Sequence, residues 1–276
     1  VSPAAVERLA RSLATPEPPR DAQGFGYRLL SQSLLARGRT REALIALDSA
    51  VAFDSAMAIE VRALYVATPE FGYDSSVVGA TREALSRWNS SGETLATVHS
   101  EAHLGLHGAL REYLLGRLAL RSGDVRAAER HAQALSTIRS DASLAARIAT
   151  LEHSLRAHIE FSRRNWRGAI SELDRAEWPG SASALIAEAG DRFLRAMALE
   201  KLGRADEARA WYASIAHRTS YELVYLGLAE YRLGVMAETR RDRRSSAAHF
   251  ARVQELYSRG DTGALRLATE AARKLR

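Results

Sequence analysis

The residues best suited to chemistry are three histidines at four-residue intervals, His99, His103 and His107, with Glu101 between the first two. On a helix that interval stacks imidazoles along one face, where two rings can hold a zinc ion. Zinc hydrolases of this kind place a glutamate directly after the first histidine as general base. The order here, His99-Ser100-Glu101-Ala102-His103, lacks it, and the polar run NSSGET at 89–94 argues against a helix at His99. The expectation is therefore no metal and no cofactor. Gly24-Phe25-Gly26 follows a proline-rich connector instead of a strand, and no Lys-Ser or Lys-Thr follows it, so it is not a phosphate loop. Glu200 and the pair Asp206–Glu207 lie on arginine-rich faces, with nothing apolar around them to raise a pKa. Asp261-Thr262-Gly263 reads as a helix N-cap. The chain has no cysteine, which excludes disulfides and thiolate catalysis. No residue set here argues for an enzyme, and any catalytic domain is expected N-terminal to this chain.

The elements that carry these residues announce themselves by repetition. RGRTREALIALDSA at 37–50, SGDVRAAERHAQAL at 122–135, LGRADEARAWYASI at 202–215 and RRDRRSSAAHFARV at 240–253 share a turn followed by a small residue, and RNWRGAISELDRA at 164–176 fits the same frame. Each is the second half of a helix–turn–helix unit, and stacking such units gives a solenoid. The small anchors are Ala43, Ala84, Ala128, Ala169, Ala208 and Ser246, spaced by 41, 44, 41, 39 and 38 residues. A small side chain is needed where two helices cross closely.

Helices are predicted over 22–36, 40–53, 55–67, 75–88, 102–121, 124–137, 142–163, 165–176, 181–202, 204–217, 220–240, 244–258 and 262–275. Residues 1–14 suggest a short leading helix with Val6, Leu9 and Leu13 on one stripe, and 15–20 (TPEPPR) a connector. The domain reading is a leading segment over 1–20 and one helical-repeat domain over 21–276. The fold class is all-α, a right-handed solenoid of about six units, with 262–275 as the closing helix. Unit two is the irregular one, with polar breaks at 68–76 and 89–94. Trp88, Trp166, Trp178 and Trp211 read as inter-helix packing, not as a stacking platform.

The net charge is +6, and all but two of the basic residues are arginine. Acids are interleaved with them at helical spacing, as in REALIALD and ADEARAW. The densest basic run, Arg240, Arg241, Arg243 and Arg244, falls at a turn and reads as solvated surface, so nucleic-acid binding is set aside. No stretch of 18 apolar residues occurs, so no membrane span is expected. The chain starts at Val1 without an apolar leader and reads as a piece of a longer protein. The expected compartment is the cytoplasm unless the parent carries an upstream membrane segment.

On these residues the chain resembles the tetratricopeptide repeat family. Leu115-Gly116, Gly123, Ala128 and Leu135 fill the family's positions in one unit. Tyr27, Leu30, Gly38, Ala43, Leu47 and Ala50 fill them in another, and Leu233-Gly234, Ser246, Phe250 and Val253 in a third, with Gly203, Ala208 and Tyr212 near the end. The spacing exceeds the family's usual 34 residues, and the closing proline is missing. The last 80 or so residues are similar to the C-terminal repeat region of large bacterial serine/threonine kinases and transcription activators.

The resemblance implies that first helices line a concave groove. Its candidates are Arg28, Gln32, Tyr113, Arg117, Arg121, Ser154, His158, Phe193, Met197 and Glu200. The implied function is a non-catalytic scaffold that binds a peptide, an acidic one if Arg28, Arg117 and Arg121 act together, or another domain of its parent. The alternative is a sensory or small-ligand domain of a signalling protein.

Overall fold

The computed structural model describes residues 2–53, 55–88, 105–178, 182–217 and 219–275; at 143, 182–186 and 220 it describes the backbone alone. The described residues are all-helical, without a strand. The helices are α1 (Pro3–Leu13), α2 (Arg20–Ala36), α3 (Thr40–Ala50), α4 (Ser55–Val66), α5 (Ser75–Arg87), α6 (His107–Arg121) and α7 (Val125–Thr137). They continue with α8 (Ala142–Ser162), α9 (Trp166–Arg175), α10 (Ala182–Lys201), α11 (Ala205–Ala213), α12 (Leu226–Thr239), α13 (Arg243–Tyr257) and α14 (Thr262–Lys274). The stretch predicted as one helix over 220–240 begins instead with a 3-10 turn, Ser220–Tyr225.

The chain divides into two compact units, Val1–Phe53 with Gly203–Arg276, and Asp54–Leu202. In the second, each helix packs on its sequence neighbours, and α8 lies against α6, α7, α9 and α10. The first is built from both ends of the chain. There α1 packs along α2, α2 along α3, α12 along α13, α13 along α14, and the 3-10 turn at 220–225 rests on α2.

One turn geometry recurs. The residue five before the anchor has positive φ in five hairpins: Gly38 (68°), Gly123 (79°), Arg164 (62°), Gly203 (75°) and Arg241 (61°). A left-handed residue lets the chain reverse while the next N–H reaches back to a carbonyl of the finished helix. Those bonds are Arg39 to Leu34, Asp124 to Ala119, Asn165 to Glu160 and Asp242 to Ala237, each 2.9 Å. Glycine meets this conformation without strain, so Arg164 and Arg241 hold it at a local cost.

The anchors Ala43, Ala128, Ala169 and Ala208 are fully buried and Ser246 nearly so. Twelve residues upstream, the first helices carry Ser31, Gly116, Ala157, Ala196 and Gly234, all buried. The closeness is measurable at the glycines. A methyl on Gly116 would stand 2.5 Å from Leu155 Cδ2, and one on Gly234 2.7 Å from the Phe250 ring. Ala84 breaks the pattern: it is exposed, and α5 buries Val78, Thr81 and Leu85 instead. The irregular second unit thus presents Thr81 where the sequence frame expected Ala84.

The leading helix also departs from its expected stripe. It buries Pro3, Val6, Glu7 and Ala10 and leaves Leu9 about half exposed. The buried face carries both apolar contacts and an ion-pair cluster, with Ser33 Oγ donating to Pro3 O at 2.8 Å. Glu7 accepts from Arg11 (2.7 Å) and from Arg37 (2.7 Å), with Arg39 at 3.4 Å, so its carboxylate faces the α2–α3 turn. Burial pushes the Glu7 carboxyl up, but the hydrogen bonds and charges of Arg11 and Arg37 outweigh it and hold the group below its ordinary value.

Candidate functional site

Four of the groove candidates meet in the unit spanning Asp54–Leu202. Tyr113 and Arg117, one turn apart on α6, face Ser154 and His158, one turn apart on α8. Asp191 of α10 joins them. Arg117 Nη1 donates to Tyr113 Oη at 2.7 Å. Tyr113 Oη and Ser154 Oγ are 3.2 Å apart, and Ser154 Oγ donates to Asp191 Oδ1 at 2.8 Å. Trp178 Nε1 donates to the other carboxylate oxygen at 3.1 Å, and His158 Nε2 lies 3.3 Å from Oδ1.

The proton inventory sets the direction of the chain. A guanidinium only donates and a carboxylate only accepts. Each hydroxyl has one proton, so it runs from Arg117 to Tyr113 to Ser154 to Asp191. Tyr113 and Ser154 are fully buried, and Arg117 and Asp191 nearly so. Charge at one end is thus balanced by charge at the other through two neutral hydroxyls, a satisfied network of the kind that fixes one packing arrangement. Burial and the Arg117 charge push His158 down to about 4 against the pull of Asp191, so the ring is neutral at pH 7. Burial likewise raises the Tyr113 phenol, keeping it protonated.

Ser, His and Asp together invite comparison with a nucleophilic triad. There the histidine stands between serine and carboxylate and takes the serine proton. Here Asp191 stands between Ser154 and His158, and the serine proton points to the carboxylate. This order links α6, α8 and α10 and differs from the serine–histidine–carboxylate order of a triad.

The remaining candidates are placed as follows. Arg121 donates to the Tyr73 carbonyl at 2.7 Å. Gln32 and Phe193 are buried. Met197, with Phe161, packs against Ala157, Leu173 and Leu194. Glu200 is half-buried. Arg28 lies in the other unit, where its charge faces Tyr221, whose phenol burial pushes up. Arg117 is not a free cation for a peptide terminus, since its guanidinium is spent on Tyr113.

His99 and His103 lie outside the described residues. His107 is buried, with Nδ1 2.6 Å from Glu60 Oε1 and the edge of Trp88 against its ring. Among the described residues no group of three His, Cys, Asp or Glu side chains could hold a metal ion. No described helix is long and apolar enough to cross a membrane.

One residue of the cluster escaped the sequence: Asp191 stands in an alanine-rich helix two positions off the groove frame. Trp178, read from the sequence as inter-helix packing, precedes that helix in a connector and donates to Asp191. The usable signal was an acid at a position where the surrounding run (ALIAEAGDRFL) leaves little room for one on an exposed face. No protein-family model matches the chain, and no curated protein does.

Proposed function

We propose that the chain is a non-catalytic interaction module, a tetratricopeptide-like solenoid of about six units that serves a larger bacterial signalling protein in the cytoplasm. One observation supports this above the rest: five hairpins share one turn geometry and one pair of small crossing positions. Such an array supplies a stiff, extended surface and commits its polar core residues to helix registry. In this reading a peptide or partner domain is held on the first-helix side. Of the groove candidates, Arg121, His158, Met197 and Glu200 are partly exposed in the Asp54–Leu202 unit, and Arg28 is partly exposed in the other.

The test is calorimetric titration of the chain with peptides of acidic, neutral and basic composition and with the other domains of its parent, followed by mass analysis of the ligand. Saturable binding with the ligand recovered unchanged is expected. Turnover of a ligand, or no binding by any of them, would overturn the reading.

A second reading, a small-ligand sensory domain, is favoured by one feature. A surface cleft of about 430 Å³ is lined by Ala146, Ala149, Thr150 and His153 of α8 with Arg175, Glu177 and Trp178, a size that suits a small molecule. Quenching of Trp178 fluorescence by a metabolite-sized ligand, lost in Thr150→Trp, would favour it.

A further inference from the structure

The turns between first and second helices carry the positive charge of this protein. The seven residues preceding each of Ala43, Ala128, Ala169, Ala208 and Ser246 include 14 arginines and lysines and five acids, against 39 and 33 in the whole chain. The opposite connections, 51–54, 138–141, 176–181, 214–219 and 258–261, hold Arg139, Arg218 and Arg259 against Asp54, Asp141, Glu177 and Asp261. The excess is therefore confined to one kind of turn.

In the Asp54–Leu202 unit two such turns are neighbours. The α8–α9 turn is tied to α7 by the ion pair of Arg163 with Glu129. Around that tie Arg126, Arg130, Arg164 and Arg167 are exposed and make no ion pair among the described residues. The acids beside them are occupied. Asp124 caps α7 through Ala127 N–H at 2.8 Å, and Glu160 accepts from Asn165 at 2.5 Å and from Arg163 at 3.3 Å.

Two features show that helix stability does not explain these arginines. Arg126 and Arg167 sit in the first turn of α7 and α9, where the helix dipole favours acids and where neither helix has one. Arg164 takes a left-handed conformation that glycine takes in the sister turns, at a cost of roughly 1 kcal/mol. The α12–α13 turn of the other unit repeats both features independently. Arg241 is left-handed, Arg243 and Arg244 occupy the first turn, and Asp242 is spent capping Ser245 N–H at 3.1 Å.

We propose that the two neighbouring turns of the Asp54–Leu202 unit, through Arg126, Arg130, Arg164 and Arg167, form the docking edge for a carboxylate-rich polypeptide segment. Guanidinium forks match carboxylates through paired hydrogen bonds. Packed helices lie about 8–10 Å apart, which is about three residues of extended chain, so an acid at every third position meets successive turns. The interleaved carboxylates of Asp124 and Glu160 would face an unbroken row of phosphates in a nucleic acid. The one aromatic side chain in the turn, Trp166, is half-buried with its ring edge-on to Phe161 at 4.8 Å, leaving no platform for bases.

The inference rests on the interaction-module reading and fails separately from it. The experiment titrates the full chain with the peptide (Glu-Ser-Gly)×4 over a range of salt, in parallel with an Arg126→Gln, Arg164→Gly, Arg167→Gln variant, an Arg121→Ala variant and a duplex DNA of similar length. Arg164→Gly relieves the backbone, so the triple variant should melt no lower than the parent. The expected result is a loss of peptide affinity of roughly tenfold or more in the triple variant, with a shallower salt dependence, and no loss in Arg121→Ala. Unchanged affinity in the triple variant with loss in Arg121→Ala would overturn the edge and leave the module reading standing. Tighter binding of the duplex, lost in the triple variant, would overturn the polypeptide assignment. Failure of the parent chain to bind the peptide would overturn the edge as well, while neutral partners would still test the module.

Discussion

Two turns in the unit built from the chain ends solve one problem by different means. Between α12 and α13, Arg241 takes the left-handed position and Asp242 caps the next helix through Ser245 N–H, so the turn is complete within six residues. Between α2 and α3, Gly38 takes that position and Arg39 stands where the cap should be, pairing with Glu42 instead. The cap comes from Asp261. Its Oδ2 accepts from Arg41 N–H at 2.9 Å and from Thr40 Oγ1 at 2.7 Å, while its own N–H donates to Gly38 O at 2.7 Å. Asp261 sits at the N-cap position of α14, as its sequence suggests, yet its side chain caps a helix 220 residues away. The same backbone frame can thus be closed by its own next residue or by the far end of the chain, and only the second choice makes the turn a tertiary contact.

Substitutions break or sharpen that contrast. The largest effect is expected at Gly38. A methyl there would overlap the Ala264 side chain and crowd Tyr257, in a backbone conformation that disfavours any side chain. Gly38→Ala should cost about 2–4 kcal/mol, measured by denaturant unfolding, whereas Gly123, which has open space at that position, should lose only about 1 kcal/mol as alanine. A comparable loss at both sites would show that the α2–α3 turn is not packed on α14.

Next comes Asp261→Ala, expected to cost about 1–2 kcal/mol through the lost cap. Its signature is spatial: amide exchange should speed up in both α3 and the first turn of α14. Asp242→Ala should loosen α13 alone. Exchange confined to α14 in the first variant would dissolve the comparison.

Acid gives a graded version. Hydrogen bonds from the Ser245 side chain and backbone hold the Asp242 carboxyl below its ordinary 3.8, and the arginines around Glu7 hold it below 4.5. A depressed folded pKa stabilises the fold above the ordinary value, and that contribution is lost as pH falls through the folded one. Stability should therefore hold steady down to about pH 4.5 and then fall. A Glu7→Gln variant should start lower and fall less steeply. Identical pH profiles for the two would remove Glu7 from the account.

The smallest effect has the opposite sign. Arg241→Gly should stabilise by about 0.5–1 kcal/mol, because glycine accepts φ of 61° without strain. A lowered melting point would mean that Arg241 makes a contact that compensates its backbone.

These sites show which parts of the fold the sequence could convey. Gly38, Gly123 and Gly203 mark their turns because glycine at a fixed distance before a small residue has few other meanings. Arg164 and Arg241 occupy the identical conformation without any such mark, and only the frame around them locates the turn. Ala84 misled for the complementary reason: small residues on an exposed helix face look like crossing points until the facing helix is known. The polar cluster was legible by half. The family resemblance put Tyr113, Arg117, Ser154 and His158 among the groove candidates, and each pair shares a helix face because its members are four residues apart. Asp191, on which Ser154, His158 and Trp178 converge, depends on how α10 packs against α8, and no local pattern encodes that.

The cap on α3 also sets an order of events during synthesis. Residues 1–53 leave the ribosome first, but the carboxylate that completes their last turn follows after a further two hundred residues. At ~5–20 residues per second, the nascent α1–α3 segment waits roughly ten to forty seconds for its counterpart. The unit at Asp54–Leu202 is continuous in sequence and can finish within that interval. The early segment can pack α1 and α3 against α2 in that time, but the face of α2 that meets the 3-10 turn at 220–225 stays uncovered until the far end of the chain arrives.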